Sequence, residues 1–402
     1  MVFEPVLRFA VTSDVHCKED SDTECVRFEN GMKMALDYSS SQSYKKLDAV
    51  YVVGDFANHG EEGEMVLFKD ILDRVLPEDT QRILTMASHE YMNGGEEPAH
   101  EKFARIFCQI PDLHNVINGF HFISITTERG CRILDEKQEW LKTQLKIAAA
   151  DDPHKPIFVF QHPHLSGTVY GSINWGEDDI ISILMDYPQV IDFSGHSHAP
   201  INDPRSIHQK HFTSFGTGSF SYFELDEFDK ENTVPPAAEK CAQFLIVEVD
   251  SAFRVRVIPV DVLSGKFFND GALIDKPWEP DMFIYTDKRY ADAEKPVFPD
   301  NTEIILSYEN GCLRLDFPQA YAGAERSDSY IITVRSEKDG HVICRKSVFS
   351  YYYLFDMPET MTCFIPLELD AGDYYIEIVA QGFWNNYSEK LCAYLFVNDE
   401  DD

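Results

Sequence analysis

Two patterns alternate along the first two thirds of the chain. Short apolar runs form the first: Val6 to Thr12, Ala49 to Val53, Gln81 to Met86, Phe120 to Ile125, Pro156 to Phe160 and Val190 to Ser194. They are rich in β-branched and aromatic residues and predict buried strands of an α/β sheet. Between them the apolar positions change to helical spacing. Residues 24–46 predict a helix, and Met65, Phe68, Leu72 and Val75 mark the buried face of another. Asp135 with Gln138 three residues on predicts a boxed helix start. Leu141, Leu145 and Ala148 mark that helix's inner face, and Asp152-Pro153 ends it. Asp178 to Met185 predicts one more helix.

The pattern changes late in the chain. Residues 263–300 are rich in Pro, Asp and aromatics and read as a linker that packs on what precedes it, with a short helix around Asp281 to Ala291. From Asn301 the chain alternates polar and apolar residues in short runs separated by turn residues. Glu303 to Tyr308, Cys312 to Phe317, Tyr330 to Ser336, Val342 to Val348, Met361 to Leu367, Tyr374 to Ala380 and Lys390 to Val397 read as strands of a β-sandwich. The expected organisation is an α/β domain over 1–262, the linker over 263–300 and a C-terminal all-β sandwich domain over 301–402.

Composition narrows the function. The chain has 402 residues, 44% hydrophobic and 26% charged, with a net charge of −34. So acidic a surface argues against binding nucleic acid through its phosphates, which takes Lys and Arg. No apolar stretch approaches the length of a membrane helix, and Val6 to Thr12 reads as the first strand rather than part of a signal peptide. The nine cysteines form no C-x-x-C pair and read as reduced thiols, which sets the expected compartment as cytoplasmic.

The candidate chemistry lies where the strands end. Ser13-Asp14-Val15-His16 follows the first, Gly54-Asp55 closes the second, and Ala87-Ser88-His89-Glu90 follows the third. Gln161-His162-Pro163-His164 and Gly195-His196-Ser197-His198 follow two later ones. In open α/β sheets, ligands bind at the carboxyl ends of strands. A carboxylate buried at a strand end needs a cation, a metal or hydrogen bonds. Asp14 and Asp55 with His16, His162, His196 and His198 offer oxygen and imidazole donors that suit Mn, Fe or Zn, and one carboxylate can bridge two ions.

These blocks, in this order, resemble the calcineurin-like metallophosphoesterases. The family pattern D-x-H, G-D-x-x-[DN], G-N-H-[DE], a lone His and G-H-x-H is met by Asp14-Val15-His16, Gly54 to Asn58, Ala87 to Glu90, His162 and Gly195 to His198. The resemblance implies a four-layer α/β sandwich with two mixed sheets, to which Ala242 to Val249 and Phe253 to Val260 supply closing strands. It implies one ion on Asp14, His16, Asp55 and His198, and a second on Asp55, the residue at Ser88, His162 and His196. It also implies in-line attack by a metal-bound hydroxide, with His89 protonating the leaving oxygen. Two positions depart from the pattern. Ser88 stands where the family has a metal-binding Asn, so the second ion is expected to bind less tightly. Asn58 stands where many relatives have an Asp that orients the catalytic His, and the metal-bound Tyr of purple acid phosphatases is missing there. Gly372 to Ile378 and Trp384 to Glu389 resemble the late strands of a fibronectin type III module.

The expected activity is hydrolysis of a small phosphomonoester or phosphodiester. Asn58, His164, Tyr170 and Trp175 are the candidate substrate contacts, the last three from a loop rich in aromatic and polar residues. The rival expectation is a metal- or phosphate-binding protein with an impaired centre, acting through its sandwich as an interaction module. Oligomeric state is left open.

Overall fold

In the computed structural model, residues 2–128, 131–225 and 233–398 are described. They divide into two compact units, one of 2–225 with 237–287 and one of 233–236 with 288–398.

The first unit begins β1 (Pro5–Thr12), α1 (Thr23–Ser41), β2 (Ala49–Val53), α2 (Glu62–Val75), β3 (Gln81–Thr85) and α3 (Glu96–Phe107). It continues with β4 (Leu113–Ile117), β5 (Phe120–Ser124), α4 (Asp135–Asp151) and β6 (Ile157–Phe160). After the short β7 (His164–Leu165), α5 (Ser172–Trp175), β8 (Gly176–Glu177) and α6 (Ile181–Leu184) comes β9 (Val190–Ser194). The last strands are β10 (Ile207–Gln209), β11 (Thr213–Gly216), β12 (Gln243–Asp250), β13 (Val255–Asp261), β14 (Lys266–Phe267) and β15 (Ala272–Ile274).

Two mixed sheets result. One runs β14-β13-β12-β1-β2-β3, with β15 also paired to β13; the other runs β10-β11-β9-β6-β5-β4. Their facing sides share one apolar layer built from Phe9, Tyr51, Phe122, Phe158, Phe160 and Phe193 among others. Tyr51 and Phe160 stack with centroids 4.0 Å apart. The outer side of the first sheet is sealed by residues of α1, α2 and α3, and that of the second by residues of α4 and α6. This is the four-layer α/β sandwich of the metallophosphoesterase type, followed by an all-β region. Because β1, β2 and β3 are parallel, as are β5, β6 and β9, their carboxyl ends converge on one rim.

The stretch 263–300 is shared between the units: 263–287 adds β14 and β15 to the first sheet, and 288–300 goes with the second unit. Where one helix is expected, short turns form at Pro280–Met282 and Arg289–Asp292. The expected helix over Asp178 to Met185 is a single turn. The cysteines also differ from expectation. Cys17 and Cys25, eight apart, pair as a disulfide because α1 returns to the β1 loop, with Cα atoms 5.7 Å apart; seven others are free.

In the second unit, Ile305–Glu309, Cys312–Pro318 and Thr360–Pro366 form one antiparallel sheet. Val342–Phe349, Ser329–Ser336, Gly372–Gln381 and Leu391–Val397 form another. Alternate residues of both, such as Leu313, Phe317, Ile365, Ile332, Ile376 and Ile378, meet in a common core. No helix among the described residues is long and apolar enough to cross a membrane.

Candidate metal centre

Three of the loops at the rim carry their donors on left-handed backbone. Asp14, His16, Asp55, His196 and His198 have φ of 50°, 51°, 51°, 72° and 53°. This left-handed region is unfavourable for residues other than glycine, and such strain gathers at functional sites. Gly54, at φ 80°, has room for no side chain: a Cβ there would lie 2.6 Å from both Ala87 Cβ and His162 Nδ1. Glu90 is wholly buried and fastens the loops together, accepting from the amides of Asp55 at 3.0 Å, Ala57 at 3.0 Å and Ala87 at 2.9 Å.

The donors converge in three overlapping groups: Asp14, His16 and His198; His16, Asp55 and His89; Asp55, His162 and His196. Within each group the ligand atoms lie within 4.8 Å of one another. His198 Nε2 is 3.3 Å from Asp14 Oδ1 and 3.1 Å from His16 Nε2. His162 Nε2 is 3.0 Å from Asp55 Oδ2, without hydrogen-bond geometry.

Two tautomers follow from the partners. His162 Nδ1 lies 2.7 Å from the carbonyl of Val53, and His198 Nδ1 lies 3.1 Å from that of Tyr222. A carbonyl only accepts, so each Nδ1 carries a proton and each ring turns Nε2 into the cluster, where its lone pair would be free for an ion once the ring is neutral. Asp14 Oδ1 and His162 Nε2 are buried with no hydrogen-bond partner. Leaving such atoms unsatisfied is costly, and a cation among them removes the cost. The residues therefore fit a metal centre of oxygen and imidazole donors.

Electrostatics agree. Burial opposes the charge on Asp14, but His198 and His162 hold its carboxyl well below the usual range. Burial likewise opposes the charge on Asp55, and His162 prevails. For His162 burial is overridden by Asp55 and Asp14, which push the ring up to about 10. Burial, helped by His198, lowers His16 to about 3. Burial and His162 lower His196 to about 4. The pocket keeps its carboxylates ionised and draws positive charge.

The remaining candidates divide. Ser88 Oγ lies 3.3 and 3.4 Å from the two carboxylate oxygens of Asp55. His89 stands at the cluster, its ring edge-on to His16 at 4.4 Å. Its Nδ1 is 2.6 Å from the backbone carbonyl of Asn58, while the Asn58 amide side chain turns to His59. Asn58 thus orients His89 through its main chain, so the missing carboxylate is replaced by a peptide oxygen. Trp175 meets His196 edge-on at 5.3 Å and is 37% exposed. Tyr170 is buried under Arg205, whose guanidinium lies 3.8 Å from its ring. His164 is buried with its ring nitrogens 2.8 Å from Ser194 Oγ and 2.6 Å from Ser197 Oγ. Burial first, then His196, lowers it to about 3. It braces the strand ends.

Two further neighbours stand at the rim: Tyr222 ends the Gly/Ser/aromatic stretch from Gly216, which the sequence offers as able to reach the site, while Cys131 had no signal in the sequence. Tyr222, 36% exposed, lies with its ring 4.2 Å from that of His198. Cys131 is buried with its sulfur 3.7 Å from His196 Nε2. Burial chiefly, then Asp55, pushes its thiol up to about 12. No spacing rule connects a loop after β5 with a histidine after β9.

Residues 7–200 match the calcineurin-like phosphoesterase family, and the match supports the resemblance read from the motifs. Among solved structures, the chain is similar to purple acid phosphatase PPD1 from yellow lupin (Lupinus luteus) seeds. That likeness has 15% identity and a TM-score of 0.48, over 67% of this chain and 53% of the lupin chain. A structure of PhoD is similar at 13% identity and a TM-score of 0.38, over 68% of this chain and 69% of that one. The chain therefore spans about half the length of the lupin protein. No curated protein sequence matches it.

Proposed function

We propose that the first unit hydrolyses a small phosphomonoester or phosphodiester at a two-ion centre. One ion is held by Asp14, His16, Asp55 and His198, the other by Asp55, Ser88, His162 and His196. The observation that carries this reading is the convergence of two buried carboxylates with imidazoles whose Nε2 atoms are aimed at them by backbone carbonyls holding Nδ1. Mn, Fe or Zn suits this donor set, and the pair would supply Lewis acidity toward water and phosphate oxygens.

The chain's own groups do the rest. Asp55 sits between the two donor groups and keeps them in register. His89, held at Nδ1 by the Asn58 carbonyl, presents Nε2 to the cluster and delivers a proton to the leaving oxygen when the ring is charged. Trp175 beside His196 and Tyr222 beside His198 offer partly exposed rings to the non-phosphate part of the ester. Tyr170 and His164 stabilise the loop behind them. The fibronectin type III likeness of the sandwich, a small-molecule partner rather than nucleic acid, and a cytoplasmic setting belong to the same reading. Strand order supports the first and acidic charge the second; for the third, seven cysteines outside disulfides stand against the one Cys17–Cys25 pair.

Turnover of aryl phosphate mono- and diesters with Mn, Fe or Zn added tests the reading. His89→Asn should lower kcat by about 10²- to 10⁴-fold at unchanged metal content. Tight phosphate binding with no hydrolysis under any ion would favour the other reading, a metal- or phosphate-binding protein whose Ser88 centre is impaired and whose sandwich is an interaction module.

A further inference from the structure

Two of the donor groups each have an aromatic side chain beside them. His196, grouped with Asp55 and His162, meets the Trp175 ring edge-on at 5.3 Å. His198, grouped with Asp14 and His16, lies 4.2 Å from the Tyr222 ring at an interplanar angle of 42°. Both rings are partly exposed, so each touches a donor and keeps surface for a ligand. Burial, then Glu224, pushes the Tyr222 phenol up to about 12, and it meets an anion as a neutral ring. The side chain is not what holds His198; the Tyr222 backbone carbonyl does that at Nδ1.

Charge separates the two classes of ester. Among the described residues, the Asp14 and Asp55 carboxylates make their hydrogen bonds and ion pairs with serine, histidine and backbone amides, and none with Lys or Arg. Glu177, Asp178 and Asp179 follow Trp175 closely in the chain, and Glu224 follows Tyr222. Arg132 reaches the first of these clusters and is engaged there: it donates to Asp179 at 2.8 and 2.6 Å and lies 3.7 Å from Glu177. Acidic surroundings oppose each added negative charge on a ligand. A phosphomonoester carries about 1.5 to 2 negative charges at pH 7, a phosphodiester only one. The diester also has two organic arms, and the site offers two rings, one beside each donor group.

We propose that the substrate is a phosphodiester with flat, apolar groups on both sides of phosphorus, one arm against Trp175 and the other against Tyr222. The inference rests on the two-ion reading above and selects one of its two ester classes. Hydrolysis breaks one P–O ester bond; the hydroxyl of water goes to phosphorus and its proton to the leaving oxygen. The products are an alcohol or phenol and a monoester. The monoester has lost an arm and gained charge, so the reaction stops there.

The test uses the full-length chain with Mn²⁺ added. Calorimetry compares diphenylphosphinate, a singly charged anion with two arms, with phenylphosphonate, which has one arm and more charge; neither can be hydrolysed. Diphenylphosphinate should bind more tightly. Trp175→Ala and Tyr222→Ala should each weaken it by roughly 2- to 10-fold and change phenylphosphonate less, because its one arm can use the remaining ring. Trp175→Phe and Tyr222→Phe, which keep a ring, should stay near wild type. Should an alanine variant fail to fold, the leucine variant of the same residue, apolar without a ring, takes its place. In turnover, bis(para-nitrophenyl) phosphate should have a higher kcat/KM than para-nitrophenyl phosphate and release one nitrophenol per molecule. The proposal is overturned if phenylphosphonate binds as tightly as diphenylphosphinate, if the monoester is the better substrate, or if the variants weaken both probes equally. A preference for the monoester would leave the two-ion reading in place. Tight diphenylphosphinate binding that depends on both rings, with no ester hydrolysed, would sink the enzymatic reading and leave this subsite standing. Neither probe bound and neither ester cleaved with Mn, Fe or Zn would sink both.

Discussion

Glu90 shows how one side chain can hold a site without touching its chemistry. Its carboxylate gathers three amides from the loops after β2 and β3. Glutamine has the same shape but sets an N–H₂ against one or two of those N–H donors. Glu90→Gln should therefore cost about 2–3 kcal/mol, read as a lower denaturant midpoint at unchanged slope. Asp192, in β9, makes a different point. It is buried, its Oδ1 accepts from Gln161 at 3.3 Å, and its Oδ2 has no partner. Burial raises its pKa from 3.8 to about 7. Between those values the folded protein holds a proton that the unfolded chain has released, so this group's contribution to stability falls as pH rises through the window. The full gap corresponds to about 4 kcal/mol at most. Asp192→Asn removes that dependence. Its melting temperature relative to wild type should rise from pH 4 to pH 7 and then level off; a constant difference would show that Asp192 is not protonated in the fold.

At the scale of elements, the loops that leave the strands matter more than the strands. Five of the proposed ligands take left-handed backbone there, and Gly54 lets β2 pass beneath His162. Gly54→Ala adds a backbone penalty of roughly 1–2 kcal/mol and forces His162 or Ala87 to move. Expected are a stability loss of about 3 kcal/mol and weaker binding of the second ion, by calorimetry and metal analysis. Wild-type values for both would refute the close approach. The helices teach a smaller lesson. Gln138 does not complete a box with Asp135 but donates to the Ile133 carbonyl at 2.8 Å. Helix α3 and strand β4 escaped notice because His100, Glu96 and Glu97 obscure the apolar face of Ala99, Phe103, Ile106 and Phe107.

At the scale of the molecule, the two units have separate cores. Metal ions should stabilise only the first, because the donors all lie there. Ions at 100 times their dissociation constant add about 2.7 kcal/mol. Chelation should thus lower one calorimetric transition by several degrees and leave the sandwich transition in place. Equal shifts in both would argue against independent cores, and no shift would argue against tight metal binding.

Much of this was legible in the chain. Strand ends announce themselves because an apolar run that stops at Asp or His leaves a polar group needing a partner. That is why Asp14, His16, Asp55, His162, His196 and His198 could be named together, and why the seven strands of the sandwich could be counted from alternation alone. The rest depends on through-space neighbours. Sequence told which imidazoles gather, but the carbonyls of Val53, Tyr222 and Asn58 decide which nitrogen each presents. It showed Ser88 as a loss, but gave no sign that Cys131, 65 residues from His196 along the chain, comes within 3.7 Å of its Nε2. Periodicity reports which side of an element is buried. It carries no information about which distant atom that burial brings within hydrogen-bonding distance.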